Sequence, residues 1–355
     1  MNFSIEYFDK RNKDLLFDVY NPLSAGATTT GAAESTITKN LGTISNRGLE
    51  ISADMDVFKN RDWRVNVGAN ITFLKNKVVT LPEQNKDGIV ESTVRKIVEG
   101  RDRYAWYPYI WEGINTKNGF SLYKFNDEDY YFTAEDGTVY GDSENGTAIT
   151  GTNLEAMVVI DGVPYSYLTT YAKREFRGSS IPKAYGSFNF NVSWKGLTLS
   201  TLFTYQLGGK VMEYNYQSLM NPSGTPYALH EDVMNSWRFE DATSYDALDP
   251  NGTPILSNAA TLPSGSNTPS LNAISSRWLT DASYLVLKNI NLSYQLPKSL
   301  VRKIDLEGVG LSVTCENLFT LTHRKGMNPQ YSYSGSQGNY LVTPRVFSVG
   351  LNVKF

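Results

Sequence analysis

The chain ends in FSVGLNVKF, a segment that alternates strictly between apolar and polar residues and stops on an aromatic. Side chains of a strand point to opposite faces with a period of two. Phe347, Val349, Leu351, Val353 and Phe355 therefore share one face, and Ser348, Gly350, Asn352 and Lys354 the other. A chain that closes on such a strand points to an outer-membrane β-barrel. There the apolar face meets lipid and the polar face a wet lumen, the reverse of a soluble protein. One strand is weak evidence, so the pattern has to recur.

It recurs at membrane-spanning length. Leu49, Ile51, Ala53, Met55 and Val57 stand opposite Glu50, Ser52, Asp54 and Asp56. Trp63, Val65, Val67, Ala69, Ile71 and Phe73 stand opposite Arg64, Asn66, Gly68, Asn70 and Thr72. Phe188, Phe190, Val192 and Trp194 repeat the pattern against Ser187, Asn189, Asn191 and Ser193. In 284–296, Tyr284, Val286, Ile290, Leu292, Tyr294 and Leu296 are expected to share a face interrupted only by Lys288. A spanning strand needs about 9 to 11 residues, against about 5 or 6 for an ordinary one. These segments have the longer length.

Composition narrows the alternatives. Only 41% of the 355 residues are hydrophobic, and no run approaches the roughly 18 apolar residues of a transmembrane helix. A barrel remains open, because only every second residue need be apolar. An aromatic fraction of 13% suits the girdles that barrels place at both interfaces. A net charge of −3 with no basic stripe argues against nucleic acid. The single cysteine, Cys315, excludes a disulfide framework and is expected to face outward as a small apolar residue. MNFSIEYFDK has no basic region followed by an apolar run, so it is no signal peptide. A barrel without one implies that sequence upstream is missing.

The spacing predicts about eleven strands: 2–10, 13–20, 42–58, 62–75, 103–115, 118–125, 184–195, 196–207, 283–297, 307–320 and 344–355. Short connections at Lys10–Lys13, Lys59–Arg61, Lys195–Gly196 and Pro297–Leu306 alternate with long ones rich in Gly, Ser, Asn, Asp and Thr. Outer-membrane barrels have short periplasmic turns and long external loops. Counting back from the last strand puts the long connections outside. The segment YALHEDVMNSWRF, 227–239, has helical spacing and is expected to form a short helix in an external loop. The fold expected is all-β: an antiparallel transmembrane barrel. Eleven strands would be half of the roughly 22 found in plugged transporters, and an open curved sheet if alone. Phe188, Val192, Ile290, Val349 and Leu351 should then be exposed on its convex side. An isolated half would leave two unpaired edges, which lipid cannot satisfy.

Several stretches resemble the C-terminal barrel of the SusC/RagA family of TonB-dependent outer-membrane transporters of Bacteroidota. They are ISNRGLEISADMDVFKNRDWRVNVGANITFLKNKV, SSRWLTDASYLVLKNINLSYQLPKSLV, VGLSVTCENLFTLT and TPRVFSVGLNVKF. YPYIWEGINTKNGFSLYKF resembles the family's aromatic hairpin, and IPKAYGSFNFNVSWKGLTLSTLFTYQLGGKV a strand pair that follows it. The resemblance implies that residues 1–355 are the C-terminal part of the barrel, without plug domain or signal peptide. It implies location in the outer membrane and a SusD-like surface lipoprotein as partner. It also implies an oligosaccharide or peptide nutrient, TonB acting through an N-terminal region, and recognition of the C-terminal strand by the outer-membrane assembly machinery.

Candidate chemistry is sparse. The two histidines, His230 and His323, fall in expected external loops, and no Ser/His/Asp order, HExxH or phosphate loop after a strand occurs. The chain reads as a non-enzyme with no cofactor and no metal. In EDGTVYGDSENGT, Asp142, Glu144 and Asn145 do not reproduce the spacing that calcium requires. Glu50, Asp54 and Asp56 read as lumen-wall residues. Trp106, Tyr107, Tyr109 and Trp111 are candidates for stacking on sugar rings, with girdle or hairpin packing as the simpler role. Two rival readings stay open: a non-transporting structural or adhesive barrel, and a soluble β-sandwich that binds carbohydrate.

Overall fold

A computed structural model of the chain describes residues 1–20, 36–221, 228–235, 270, 272–323, 326–328, 330, 335–337 and 343–355. The alternating segments become eight long strands. They are β1 (Asn2–Tyr20), β2 (Thr36–Lys59), β3 (Trp63–Thr80), β4 (Ala184–Trp194), β5 (Leu197–Leu207), β6 (Tyr284–Gln295), β7 (Gly308–Thr322) and β8 (Val346–Lys354). They form one 8-stranded sheet in sequence order, each neighbour antiparallel, with β1 and β8 at the edges.

The register turns each strand's alternation into two faces of a wall. One row across the sheet is Met55, Val67, Phe190, Thr201, Ile290, Cys315 and Phe347. The parallel row nearer the short turns is Phe58, Val65, Val192, Leu199, Leu292, Val313 and Val349. Between them, on the other face, run Asp56, Asn66, Asn191, Ser200, Asn291, Thr314 and Ser348. Cys315 thus lies on the apolar face as expected, buried among larger neighbours.

None of the buried clusters among the described residues includes Phe188, Val192, Ile290, Val349 or Leu351. Val349 and Leu351 are 83% and 66% exposed. Phe188, Val192 and Ile290 are only half-buried, because neighbours within the wall cover them; the Phe188 and Phe203 rings stack at 4.7 Å. On β3 the apolar face runs from Trp63 to Phe73, about 34 Å along a strand that rises ~3.4 Å per residue. Tilted by ~40°, that is about 26 Å of height, the thickness of a barrel's apolar band. Trp63 and Trp194 stack at 5.6 Å where the band meets the short turns.

Three expectations change. Residues 2–10 and 13–20 are one strand, because Arg11 and Asn12 keep pairing with Ser45 and Ile44 of β2. The polar run there is an extension of the hairpin, tied by Asp9 to Arg47 at 3.2 Å. Segments 103–115 and 118–125 are not wall strands. Short strands Trp111–Ile114 and Ser121–Lys124 pair within a 4-stranded sheet with Met157–Ile160 and Val163–Ser166. Ile110, Ile114, Leu122, Tyr123 and Phe125 are all buried there, so these segments lack the two-faced character that a wall requires. The wall therefore has 8 strands rather than about eleven.

In β6 the alternation does not run through Lys288. A bulge between Leu287 and Asn289, matched on β7 by the left-handed Asn317 (φ 52°), shifts the faces by one residue. Leu285 and Leu287 thus join the apolar face, and Tyr284 and Val286 turn to the polar one. The parity of connections survives all three changes. Residues 60–62, 195–196 and 296–307 are the short links; 21–35, 81–183, 208–283 and 323–345 are the long ones. The link after β6 also contains a short helix, Lys298–Val301, that the spacing did not predict. Within 227–239, Glu231–Asn235 is a 3-10 helix; 227 and 236–239 lie outside the described residues.

The long connections build their own cores at the far end of the wall. Phe120, Leu122, Ala156, Ile160, Tyr165 and Tyr167 form one, and Phe125, Phe132 and Ile149 another. A third, of Val94, Trp106, Met212, Tyr216, Met220 and Trp278, joins three stretches of chain distant in sequence.

Candidate functional site at the external end of the lumenal wall

The polar face is knitted by side-chain hydrogen bonds from strand to strand. Asn191 donates to Asn66 Oδ1 at 3.3 Å, and Asn66 donates to Asp54 and Asp56 at 3.2 and 3.3 Å. Arg64 Nε donates to Asp56 at 3.0 Å, and Asn70 to Ser187 Oγ at 2.6 Å. Glu50, Asp54 and Asp56 lie on this face, opposite Thr72, Gly68 and Asn66. Short Asn, Ser and Thr side chains suit a surface that must stay wetted and smooth, since lumen-facing positions in barrels are polar.

At the external end, the connection 81–183 is tied to this face. The Arg103 backbone N–H donates to Asn76 Oδ1 at 2.8 Å, while Asn76 Nδ2 donates to Asn46 Oδ1 at 2.7 Å. The backbone N–H of Val78 donates to Arg101 O, and that of Lys183 to Leu207 O. On the neighbouring strands, Gln206 Nε2 donates to Ala282 O at 3.2 Å and Gly208 N–H to Ser283 Oγ at 2.8 Å. Between wall and connections lies a cleft of about 630 Å³. Asn46, Asn76, Tyr185, Gln206 and Tyr284 form its floor; Tyr104, Ser180, Pro182 and Lys210 form its roof.

Within the aromatic run 104–111, Trp106 packs into the connection's core. Trp106 is fully buried. The Arg95 guanidinium lies 3.6 Å over its ring, and its Nε1 donates to Lys210 O at 3.0 Å. A ring so enclosed offers no face to a ligand, so Trp106 as a sugar platform is corrected to a core anchor. Arg95 also donates to Tyr104 O and to Ser180 Oγ. Burial lowers its pKa to about 10, which leaves it cationic at neutral pH.

Tyr109 is faced by Arg174 at 4.8 Å and Trp111 by Arg277 at 5.1 Å, and Arg277 also sits 4.4 Å over Trp278. Tyr107 meets Phe176 at 4.8 Å. Tyr107, Tyr109 and Trp111 are half-buried, and none of the four lines the cleft. The ribbon is a set of cation–π clamps, each worth about 0.5–2 kcal/mol. Tyr104, Tyr185 and Tyr284 line the cleft instead. Tyr185 carried a legible signal, an aromatic at a polar-face position of an alternating strand; Tyr284 reaches that face only through the bulge.

Asp142 is the hub of a local turn. Its carboxylate accepts the Asn145 side-chain amide at 3.0 Å and the backbone N–H groups of Asn145 and Glu144 at 3.1 and 2.9 Å, bonds that lower its pKa. Among the described residues, no group of three or more His, Cys, Asp or Glu side chains is placed to hold a metal ion. At the other edge of the sheet, Phe347, Val349, Leu351 and Val353 of β8 pair across to β7 on the apolar face, and Phe355 is 87% exposed beyond the strand's end.

No protein-family model matches the chain. Two curated relatives from Formosa agariphila align over 100% of it. TonB-dependent receptor P3 is 25% identical over 381 residues, and TonB-dependent receptor P39 is 23% identical over 380. Among solved structures, the RagAB peptide transporter superposes with a TM-score of 0.70 at 22% identity, over 99% of this chain and 33% of that one. The RagAB importer in its closed-closed state gives 0.68 at 21% identity. The chain spans about a third of the length of these relatives, 32% and 34% of the two receptors. The chain is, over its whole length, a relative of the TonB-dependent receptors, and its wall of outer-membrane β-barrel type shares the fold of part of the RagAB transporter.

Proposed function

We propose that the chain supplies wall and external loops to a TonB-energised importer that admits an oligosaccharide or peptide nutrient and works with a SusD-like surface lipoprotein. The observation that carries this reading is the continuous polar face of β2 to β7, which ends externally in a cleft roofed by the connection 81–183. A structural or adhesive barrel has no need of a polar lumen that opens into a shaped recess. A soluble sandwich would cover the row around Ile290 with a second sheet, and among the described residues none packs there. TonB would act through the region of the parent that precedes these residues. The β8 residues Phe347, Val349, Leu351, Val353 and Phe355 would present the strand that the assembly machinery recognises.

The test is uptake in the native organism. Deletion of the parent gene should abolish accumulation of one radiolabelled nutrient class, and dissipating the proton-motive force in wild-type cells should do the same. Unchanged accumulation after deletion, with loss of surface adhesion, would instead establish the adhesive reading.

A further inference from the structure

On the lipid face of β1 to β3 the apolar band stops at its external end and positive charge takes over. The register lays Tyr7, Leu49 and Phe73 in one row, Asp9, Arg47 and Lys75 in the next, and Arg11, Ser45 and Lys77 in the row above. Neighbouring strands stand ~4.8 Å apart and alternate residues ~7 Å, so these four cations spring from backbone within about 12 Å. All four are exposed. Arg47 and Arg11 reach one carboxylate, Asp9, at 3.2 and 3.6 Å, so even that cluster keeps a net positive charge.

Beside this patch, β3 and the chain that leads into β4 part above the Phe73–Ala184 pair, and a second cleft of about 380 Å³ lies there, lined by Lys75, Arg101 and Lys183. Two backbone bonds hold Arg101 beside β3, from Val78 N–H to Arg101 O at 2.8 Å and from Gly100 N–H to Val78 O at 2.9 Å. Its guanidinium lies 4.0 Å over the Phe176 ring, which fixes its plane and leaves its edge donors for an anion. Among the described residues, Asp102 is the carboxylate in the lining, and it already accepts Ser179 Oγ at 2.7 Å and Tyr104 N–H at 2.9 Å. Three cations against one engaged carboxylate leave the cleft positive.

We propose that this patch and cleft hold the phosphate of an anionic lipid of the outer leaflet, whose acyl chains lie on the apolar band below Phe73. Lys and Arg clustered at a membrane surface attract anionic headgroups, about 1 kcal/mol for each charge, and the planar guanidinium matches phosphate oxygens. The band supplies the second half of the recognition: Phe73, 43% exposed, stands at its top directly beneath Lys75. A free anion would gain the charges and forgo the band. The side chains of Arg47, Lys75 and Lys77 stand on the outward face, so the site is separate from any nutrient path through the lumen.

The experiment immobilises the purified full-length parent in detergent and measures its retention of radiolabelled lipid A, phosphorylated or stripped of its phosphates, with inorganic phosphate as competitor. The phosphorylated lipid should bind at least about tenfold more tightly, and the difference should shrink as salt rises. Lys75→Ala, Arg101→Ala and Lys183→Ala should each weaken retention about fivefold, the loss of one charge at an anionic surface, and together about a hundredfold. Lys75→Arg should keep most of the affinity. Lys298→Ala, in the helix of the short link at the opposite end of the wall, should leave it unchanged, and heat-modifiable mobility in gels confirms that each variant is folded.

Equal retention of the two lipids would overturn the proposal, since contact with the acyl chains alone would then account for binding. Displacement of the lipid by millimolar inorganic phosphate would do so too, because the site would then take a free anion. Full retention by the folded triple variant would place the lipid elsewhere on the barrel and overturn the assignment of these residues.

Discussion

The wall and the external connection 81–183 are built from the same kinds of residue facing opposite solvents. Phe347 in the wall is 70% exposed, whereas Ile114 and Leu122 in the connection are fully buried. Both regions use two-residue hairpins with left-handed φ at both positions: Lys195 and Gly196 in the wall (φ 43° and 88°), Asp161 and Gly162 in the connection (51° and 79°). Backbone rules are therefore common to both, and the solvent alone decides where apolar side chains go. In water the connection has to collect them into small cores against the cost of ordering the chain. In lipid the wall needs no core, because its backbone groups are satisfied from strand to strand.

If the two regions are stabilised by different means, they should fail separately, and the largest effect should come from the connection. Trp106→Ala removes a fully buried ring and strands Arg95 over a void. A cost of about 3–5 kcal/mol is expected, read as protease cleavage within 81–183 on intact cells while the barrel keeps its heat-modifiable mobility. Loss of both together would show that wall and connection fold as one unit.

The wall should be most sensitive to charge at its mid-height. Ile290→Arg is expected to cost about 2–4 kcal/mol of folding stability in lipid vesicles, whereas Asn289→Arg, on the lumenal face, should change it by less than about 0.5 kcal/mol. Equal costs would mean that the assigned faces are wrong. A smaller, geometric effect is expected at Gly186, where a Cβ would stand 2.1 Å from the Asn70 carbonyl oxygen. Gly186→Ala should cost about 1–3 kcal/mol, because backbone at the β3–β4 contact has to move; urea unfolding in vesicles reads it.

The smallest effect is electrostatic and confined to the connection. Glu99 accepts the Leu81 N–H at 2.7 Å and the Lys86 ammonium at 3.3 Å, and these bonds lower its pKa below the ordinary 4.5. A depressed carboxyl pKa contributes stability that is complete above 4.5 and is lost as pH falls through the folded-state value. The protection of the Leu81 amide, taken relative to its intrinsic exchange rate at each pH, should therefore fall below about pH 4.5, and Glu99→Gln should remove that dependence. An unchanged pH profile in the variant would assign the acid sensitivity elsewhere.

Much of the wall was legible in the residues. Alternation is a local property of the extended backbone, so β2, β3, β4 and β8 could be placed and their lipid faces assigned without any partner, and β5 and β7 could be placed. Errors arose where a pairing overrode a local cue. Arg11 and Asn12 look like a turn until β2 is long enough to pair with them. Lys288 looks like a blemish on an apolar face until β7 supplies the matching bulge at Asn317. Trp106 looks like a candidate binding ring until the fold buries it beneath Arg95.

The sequence by itself determined that this chain forms a sheet with one face for lipid and one for water, and which of its connections are long. Both follow from residue chemistry at a period of two and from turn composition, which need no knowledge of distant neighbours. Only the tertiary structure decided that the wall has 8 strands, that Tyr284 faces the lumen, and that Asn46, Gln206 and Lys210 meet around one cleft. Those facts depend on register and on contacts between residues more than a hundred positions apart, and no local pattern in the chain encodes them.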